Sequence, residues 1–318
     1  MTQPSPPENQ PAAPSAADAR VDVIMRTCNR PDLLARAITS VRQQTFDHWH
    51  LILVDTGDHQ ATAEWLAGHP GPGRITHLKA EPGPRIGALS NLGVAAGSAP
   101  FVTLLDDDDT WHPGFLATMA SLLEPRADDP DLGGVVCHTL ILTEEFGDGA
   151  WTTLRQEPLH DSLTRLTLPA LATVNQFTVN AFLYKRSAWE ALGGYDEELP
   201  VLDDWHFNLR FLSEYDIEVI PETLAHWHWR SPGDGTPASG VRADHEFQTA
   251  RLINREIRRK MRGEAAPLAE LFVAGELHRL ATHQRKRIFS KLRAVSDKVG
   301  KIDSRTQRLS AGAGKTKR

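Results

Sequence analysis

The sequence is poor in cysteine and has no long apolar run. Only Cys28 and Cys137 occur among its 318 residues, which is too few for a disulfide framework and is typical of a reducing compartment. No stretch approaches the roughly 20 apolar residues that a transmembrane helix needs. The first 20 residues are rich in Pro, Ala, Ser and Gln and lack the basic-then-apolar pattern of a signal peptide. These absences favour a cytoplasmic protein with a disordered leader over residues 1–20.

The charge is distributed unevenly along the chain. Residues 251–318 contain 19 Lys or Arg and six Asp or Glu, whereas residues 1–250 contain 16 basic and 35 acidic residues. Such a basic segment suits nucleic acid, an anionic membrane surface or a solvated helix. Its only aromatic residues are Phe272 and Phe289, so base stacking and nucleic-acid binding are disfavoured. We expect a solvated helical segment, with peripheral membrane contact or self-association as alternatives.

Strand and helix patterns alternate after residue 20, which predicts an α/β protein with a mostly parallel sheet. Strands are predicted over 21–25, 51–54, 74–78, 101–105, 135–142 and 177–184. Helices are predicted over 31–44, 61–67, 86–96, 163–171 and 203–214, and from residue 244 onward with a break at 263–267. Residues 233–240 are interpreted either as a lid or as a linker.

Four consecutive carboxylates, Asp106–Asp109, directly follow the apolar strand predicted over 101–105. Four like charges at the end of a buried strand are unfavourable, because desolvation and mutual repulsion both oppose them. A divalent cation would compensate, and carboxylate oxygens suit Mg²⁺ or Mn²⁺. The alternative is a solvated acidic turn that caps a helix beginning at Pro113. A second acidic cluster near residue 204 favours the metal site.

Other polar residues also stand at the ends of predicted strands. Thr27 and Asn29 follow the first strand, and Asp55 ends the second. In open α/β sheets, ligands bind outside these strand ends. Taken alone, Asp55 is equally well explained as a helix cap or turn residue. Arg85, in the glycine-containing loop 83–87, could pair with a phosphate, although a surface arginine is the common alternative.

Six segments together resemble a known family. They are VIMRTCNRPD at 23–32, LVDTGD at 53–58, RIGALSN at 85–91, LLDDDDTW at 104–111, GGYDE at 193–197 and LDDW at 202–205. In this order and at these separations they make residues 21–229 similar to the family 2 glycosyltransferases of the GT-A fold. The resemblance implies a Rossmann-like, mixed nucleotide-binding sheet flanked by helices, with a C-terminal helical extension.

Domain boundaries follow from the resemblance and from composition. We expect a glycosyltransferase domain over 21–240, a helical extension over 241–309 and a flexible basic tail over 310–318. Within the first of these, residues 21–112 would form the nucleotide-sugar-binding half and residues 113–240 the acceptor and catalytic half.

The resemblance also implies roles for the residues that bind the donor. Residues that match Thr27, Asn29 and Arg30 lie in the nucleotide site of the family. The acid that matches Asp55 hydrogen-bonds the base, usually uracil or thymine, and the arginine that matches Arg85 lies near the base or diphosphate. Cys28 and Thr56 depart from the usual pattern of an aromatic residue and a second acid. The identity of the nucleobase is therefore open.

Metal and catalytic roles are implied in the same way. The metal-binding DxD element falls within Asp106–Asp109, with Asp108 as principal ligand, Asp106 as the second and Asp107 close to the donor. Asp204 matches the expected general base. Asp203 is the second candidate, with helix capping as its alternative role. In the His-Trp run over 226–229, His228 is a candidate metal ligand, with a structural histidine as the alternative. If this run is a strand, both histidines share one face.

The implied reaction is a metal-dependent, inverting transfer of a hexosyl or deoxyhexosyl group. The donor would be a UDP- or dTDP-sugar, the cofactor Mn²⁺ or Mg²⁺, and the acceptor a glycan, a lipid-linked compound or another hydroxyl, in bacterial glycan or glycoconjugate biosynthesis. A non-catalytic scaffold of the same fold is one alternative, but such a protein should lose the acids that are present here. A sugar nucleotidyltransferase is another, but the loop over 26–30 lacks the glycines it needs. The sequence does not identify the donor sugar or the acceptor.

Overall fold

The computed structural model describes residues 19–71, 74–147, 150–230, 242–286 and 290, and the side chains of 242–246 are not included. Most of the predicted leader, the possible lid over 233–240 and the tail over 310–318 lie outside the described residues. Within the described residues, no helix is long and apolar enough to cross a membrane.

The first half of the protein is a parallel sheet with connecting helices. Its strands are β1 (Val21–Thr27), β2 (Trp49–Asp55), β3 (Ile75–Lys79) and β4 (Phe101–Leu104), in the spatial order β3-β2-β1-β4. The helices are α1 (Pro31–Arg42), α2 (His59–Gly68) and α3 (Ile86–Ala96). Nearly every residue of β1, β2 and β4 is buried, as expected for strands covered on both faces. Their carboxyl ends meet at one edge of the sheet.

The second half adds strands of mixed direction to the same nine-stranded sheet. Its strands are β5 (Thr110–Trp111), β6 (Leu132–Gly147), β7 (Ala150–Pro158), β8 (Phe182–Lys185) and β9 (Asp216–Arg230). β8 is antiparallel to both β4 and β6, β6 is parallel to β9, and β5 is antiparallel to β9. β7 returns antiparallel along the end of β6, because their connection is too short for a crossover. The prediction of a mostly parallel sheet is therefore wrong for this half.

The helices of the second half are α4 (Phe115–Leu123), α5 (Leu168–Leu171), α6 (Arg186–Leu192), α7 (Asp203–Glu214), α8 (Arg242–Met261) and a helix over 268–286, here α9. They agree only in part with the sequence prediction: α7 coincides with it, α5 begins later, α8 begins two residues earlier and α6 was not predicted. Of the helix predicted over 163–171, only the last turn, α5, is helical. The strand predicted from residue 177 begins at Phe182, after a 3₁₀ turn. The break between α8 and α9 confirms the predicted one.

Alternating residues of the central strands build a core on each face of the sheet. Val23 and Leu51 lie with α1 and α4 on one face, whereas Ile24 and Ile52 lie with α3 and α7 on the other. The extension packs on the second face, where the ring of Phe272 in α9 lies 5.6 Å from that of Trp205 in α7. The C-terminal helices therefore support the helix that carries the second acidic cluster.

A buried ion pair joins the two halves of the sheet. Asp22 in β1 is buried and accepts hydrogen bonds from Nη2 of Arg186 at 2.6 Å and from the Ala99 N–H at 2.8 Å. Nδ1 of His50 lies 3.1 Å from its other oxygen. Arg186 begins α6, and it also donates to the carbonyls of Ala99 and Val94 at 2.7 and 2.5 Å. One guanidinium thus ties β1, the end of α3 and the start of α6 together.

Candidate active site

The acidic run Asp106–Asp109 lies between β4 and β5, at the carboxyl edge of the parallel strands. Asp107 and Asp109 are buried, whereas the side chains of Asp106 and Asp108 are 33% and 18% exposed. The alternation follows from the chain turning out of a buried strand. Two half-buried carboxylates are therefore partly open to solvent at the edge where ligands bind in such sheets.

Three arginines compensate the charge of this run. Arg26, on β1, donates from Nε to Asp106 at 3.1 Å. Arg30, in the loop after β1, pairs with Asp107 and lies 3.2 Å from Asp108. Arg230, at the end of β9, lies 2.6 Å from Asp108 and is itself buried. Arg26 and Arg30 come from β1 and the loop after it and Arg230 from the end of β9, so two distant parts of the chain hold the acidic run.

The two buried aspartates remain strongly perturbed despite these arginines. Burial raises the pKa of Asp107 to about 7, although Arg30 opposes the shift and the Thr27 hydroxyl donates to it at 2.7 Å. Burial, together with the charges of Asp108 and Asp106, also raises the pKa of Asp109. Asp109 accepts hydrogen bonds from the His228 N–H and from Nδ2 of Asn180, each at 3.0 Å. The charged forms of both carboxylates are therefore disfavoured unless a further positive charge lies beside them.

This donor set fits a hard divalent cation. One carboxylate oxygen from each of Asp106, Asp108 and Asp109 lies within 4.8 Å of the others. Oxygen-only ligands of this kind suit Mg²⁺, Mn²⁺ or Ca²⁺. Both oxygens of Asp109 already accept hydrogen bonds from the protein, so Asp106 and Asp108 are the more accessible ligands.

His228 lies beside this cluster, but both of its ring nitrogens contact other residues. Its Nε2 is 2.7 Å from the Thr110 hydroxyl and its Nδ1 is 2.8 Å from Glu144. Burial lowers the pKa of His228, although Glu144 opposes the shift. Glu144 in turn accepts from Arg36 at 2.7 Å. His226 also approaches Thr110, at 3.4 Å, which confirms that the two histidines share one face of a strand.

The loops after β1 and β2 lie side by side and contain the other predicted donor-binding residues. Asn29 has a left-handed backbone with φ of 53°, and its Oδ1 accepts from the Asp58 N–H at 2.6 Å. A Cβ on Gly57 would lie 2.4 Å from that oxygen, so only glycine fits there. Asp55 is buried and accepts from the Gly57 N–H at 2.8 Å. Arg85, by contrast, is exposed just before α3, and its side chain makes no hydrogen bond or ion pair with the described residues.

The second acidic cluster begins α7. The residue before this helix is Leu202, which has a left-handed backbone with φ of 67°, so Asp203 is the first helical residue and not the cap. Asp203 is buried 4.0 Å from Arg26, and burial raises its pKa to about 6. Burial also raises the pKa of Asp204. Asp204 accepts a hydrogen bond from Nδ2 of Asn175 at 2.9 Å.

Several residues of this site were not identified from the sequence. They are Arg26, Arg36, Glu144, Asn175, Asn180 and Arg230. Arg26 and Arg230 stand within or beside recognised segments, and a count of the charge needed to balance four aspartates would have indicated them. The other four carry no local signal, because only the fold brings them to the site.

Comparison with known proteins identifies the family. Residues 22–189, more than half of the chain, match the sequence model described as Glycosyl transferase family 2. The chain belongs to glycosyl transferase family 2. This family 2 protein is 29% identical over 199 residues to WcaA of Escherichia coli strain K12, whose name assigns it to colanic acid biosynthesis as a glycosyl transferase. The match covers 61% of this chain and 67% of WcaA.

Solved structures confirm the GT-A fold of this family 2 glycosyltransferase. The mannosyltransferase PcManGT from Pyrobaculum calidifontis, in complex with GDP-Man and Mn²⁺, matches with a TM-score of 0.54 at 20% identity, covering 85% of this chain and 73% of PcManGT. Residues 1–349 of TarS from S. aureus, in complex with UDP-GlcNAc, match with a TM-score of 0.53 at 18% identity, covering 75% of this chain and 66% of that fragment. At these identities the likeness concerns the fold.

Proposed function

We propose that this protein transfers a sugar, with inversion, from a nucleotide-diphosphate donor to an acceptor hydroxyl. The observation that carries the proposal is the pair of partly exposed carboxylates, Asp106 and Asp108, beside a second acidic cluster at the start of α7. The complexes of PcManGT with GDP-Man and of TarS with UDP-GlcNAc support a nucleotide-sugar donor. The name of WcaA supports a role in bacterial glycan biosynthesis.

The donor nucleotide would lie over the loops after β1 and β2. Thr27 holds Asp107 in place, and Asn29 ties the two loops together through Asp58. Arg30 and the exposed Arg85 would contribute positive charge toward the diphosphate. Asp55 would face the base, with UDP or dTDP donors the favoured classes and a hexosyl or deoxyhexosyl group transferred.

Asp106 and Asp108 would hold Mn²⁺ or Mg²⁺, with Asp109 fixed behind them. When bound, the cation would neutralise negative charge on the departing diphosphate. His228 stays a predicted further ligand. In the present geometry it contacts Thr110 and Glu144, and it fixes Asp109 through its backbone N–H.

Asp204 would accept the proton of the acceptor hydroxyl. A hydroxyl is a poor nucleophile until a positioned base takes its proton. Burial raises the pKa of Asp204, which makes it a stronger base than an ordinary carboxylate. Asn175 holds one of its oxygens, so the carboxylate has a defined orientation. Attack from the side opposite the diphosphate would invert the anomeric carbon.

The acceptor would be a glycan, a lipid-linked compound or another hydroxyl compound. We place the reaction in the cytoplasm and propose no nucleic-acid partner. The basic C-terminal segment is a candidate for contact with the inner face of a membrane or with a second copy of the chain. Neither arrangement is needed for the chemistry above.

The test is a donor survey by calorimetry and donor hydrolysis, with Mn²⁺ or Mg²⁺ and a panel of UDP-, dTDP- and GDP-sugars. We expect metal-dependent binding of one donor class, lost in Asp108→Asn. In Asp204→Asn we expect binding to be retained and hydrolysis lost. Asp161→Asn, an exposed acid remote from these clusters in sequence, is the matched control. Failure of the wild type to bind any nucleotide, with or without metal, would rule out the proposal.

A further inference from the structure

A second group of metal-ligating side chains lies outside the acidic run. Oδ2 of Asp55 is 2.9 Å from Nε2 of His77 and 3.4 Å from Nδ1 of His59. These three ligand atoms all lie within 4.8 Å of one another. The group contains two imidazole nitrogens and one carboxylate oxygen, so its chemistry differs from that of the all-carboxylate cluster.

The fold brings these residues together from three elements. Asp55 is the last residue of β2, and β3 runs parallel beside it with His77 opposite Leu53. Because side chains alternate along a strand, Asp55 and His77 face the same side of the sheet. His59 is the first residue of α2, whose start is fixed by Asp58, which accepts from the Gln60 and Ala61 N–H groups at 3.0 and 3.1 Å.

Asp55 is hydrogen-bonded by the Gly57 N–H and by His77, and two further features suit it to hold a cation. Asp55 is fully buried, and no lysine or arginine among the described residues forms an ion pair with it. A buried carboxylate without a positive partner is costly. Its Oδ1 accepts from the Gly57 N–H at 2.8 Å, which orients the carboxylate and leaves Oδ2 to face the two histidines.

The two histidines provide the remaining protein ligands, and their partial exposure opens the group to solvent. Nδ1 of His59 is buried and has no well-formed hydrogen bond. Neighbouring ligands of a tetrahedral Zn²⁺ lie about 3.3 Å apart when each metal bond is about 2.0–2.1 Å. The 3.4 Å between His59 and Asp55 matches that spacing, and the 2.9 Å between His77 and Asp55, a hydrogen bond in this structure, is about 0.4 Å shorter. The side chains of His59 and His77 are 28% and 13% exposed, so an ion and a water ligand could enter from solvent.

We propose that Asp55, His59 and His77 bind a Zn²⁺ ion, with water as the fourth ligand. Imidazole ligands select Zn²⁺ over Mg²⁺, so the protein has two cation sites of different chemistry. Occupation of this site engages Asp55 and places a cation where the base of the donor would bind, so Zn²⁺ antagonises donor binding. Zn²⁺ binding at this site does not depend on the proposed transferase function; only the antagonism of donor binding rests on that function.

The first test is Zn²⁺ binding to tag-free protein by calorimetry, with Co²⁺ as a spectroscopic probe. It is performed in the Asp108→Asn background to remove the other candidate cluster. We expect one Zn²⁺ per chain and an intense, tetrahedral Co²⁺ spectrum. His59→Gln and His77→Gln should each weaken binding by about 100-fold or more, since even groups that only orient a ligand are worth about 10- to 100-fold. His69→Gln, an exposed histidine just after α2, should change nothing.

Circular dichroism and thermal melting establish whether each variant folds. If His77→Gln fails to fold, His59→Gln decides alone, because His59 is the more exposed ligand. The proposal is overturned by the absence of Zn²⁺ binding, by binding that the histidine substitutions leave unchanged, or by a weak, octahedral Co²⁺ spectrum.

The second test measures donor binding, at fixed Mg²⁺ and wild-type Asp108, with and without Zn²⁺. We expect Zn²⁺ to weaken donor affinity at least tenfold in the wild type and not in His59→Gln. Unchanged donor affinity in the wild type would overturn the antagonism. If no nucleotide binds under any condition, the proposed transferase function fails while the Zn²⁺ titration still decides the metal site.

Discussion

The ion pair between Asp22 and Arg186 gives a prediction that needs no knowledge of the substrate. Arg186→Met keeps most of the side-chain length but leaves the buried Asp22 carboxylate without its only full positive partner in the described structure. It also removes the donors to two backbone carbonyls, at Val94 and Ala99. Breaking a buried pair from one side costs about 3–5 kcal/mol. Asp22 keeps the Ala99 N–H and His50, so we expect about 3 kcal/mol.

Such a loss is a large part of the roughly 5–15 kcal/mol that stabilises a typical domain. The assay is urea unfolding at pH 7, followed by circular dichroism and tryptophan fluorescence. Arg155→Met is the control, because Arg155 is exposed and its one ion pair among the described residues is with Glu157. It should change the free energy of unfolding by less than about 0.5 kcal/mol. A loss below about 1 kcal/mol in Arg186→Met would refute the view that this pair holds the halves together.

Three further predictions concern the site and its surroundings. Asn175→Ala removes a hydrogen bond to Asp204, so donor turnover should fall about 10- to 100-fold with the donor Kd unchanged, and the acid limb of its pH profile should move to higher pH. Burial lowers the pKa of His206 to about 3, so the folded state binds fewer protons than the unfolded chain below about pH 6.5. Unfolding free energy should therefore fall by about 2 kcal/mol between pH 7 and 5, and less in His206→Gln. Gly57→Ala would place a methyl group against Asn29, which should lower the melting temperature and weaken calorimetric donor binding.

Each of these has a control or a contrary result. A rise in the donor Kd of Asn175→Ala equal to its loss of turnover would indicate damage to binding and not to the base. An equal acid sensitivity of wild type and His206→Gln would assign that sensitivity to other groups. Gly68→Ala, whose methyl group would meet nothing within 4 Å, is the control for the glycine substitution.

The sequence predicts the fold best where the signal is local. The predicted bounds of α3 and α7 coincide with the observed ones, because apolar residues and turn residues mark both ends. β7 was not predicted, since its residues are nearly all exposed and have no apolar face. β6 extends beyond the predicted residue 142 through a polar stretch that is ordered by pairing with β7 and β9. β7 and this part of β6 are held by hydrogen bonds to neighbouring strands and bury few apolar side chains, so they leave no alternating apolar pattern in the sequence.

The residues of the candidate site also fall into two groups, those in a recognisable local segment and those that only the fold brings to the site. The acidic run and Asp204 were identified because each stands in a short recognisable segment. The residues that hold Asp108 and Asp109 come from far along the chain: Arg230 is 122 residues from Asp108, and Asn180 is 71 residues from Asp109. No local pattern records such a pairing. The arginines and amides that make the acidic run tolerable become evident only when the sheet is assembled.

The interleaving of the two halves has a consequence for the order in which the chain folds. β5 directly follows the acidic run, and its partner in the described sheet is β9, whose last residue, Arg230, completes the neutralisation of Asp108. During synthesis the aspartates emerge more than 100 residues before that arginine, so we expect them to stay solvated until β9 joins the sheet. A fragment ending at residue 112 should therefore not fold by itself. Burial of the acidic run and docking of β9 should be one late, cooperative event.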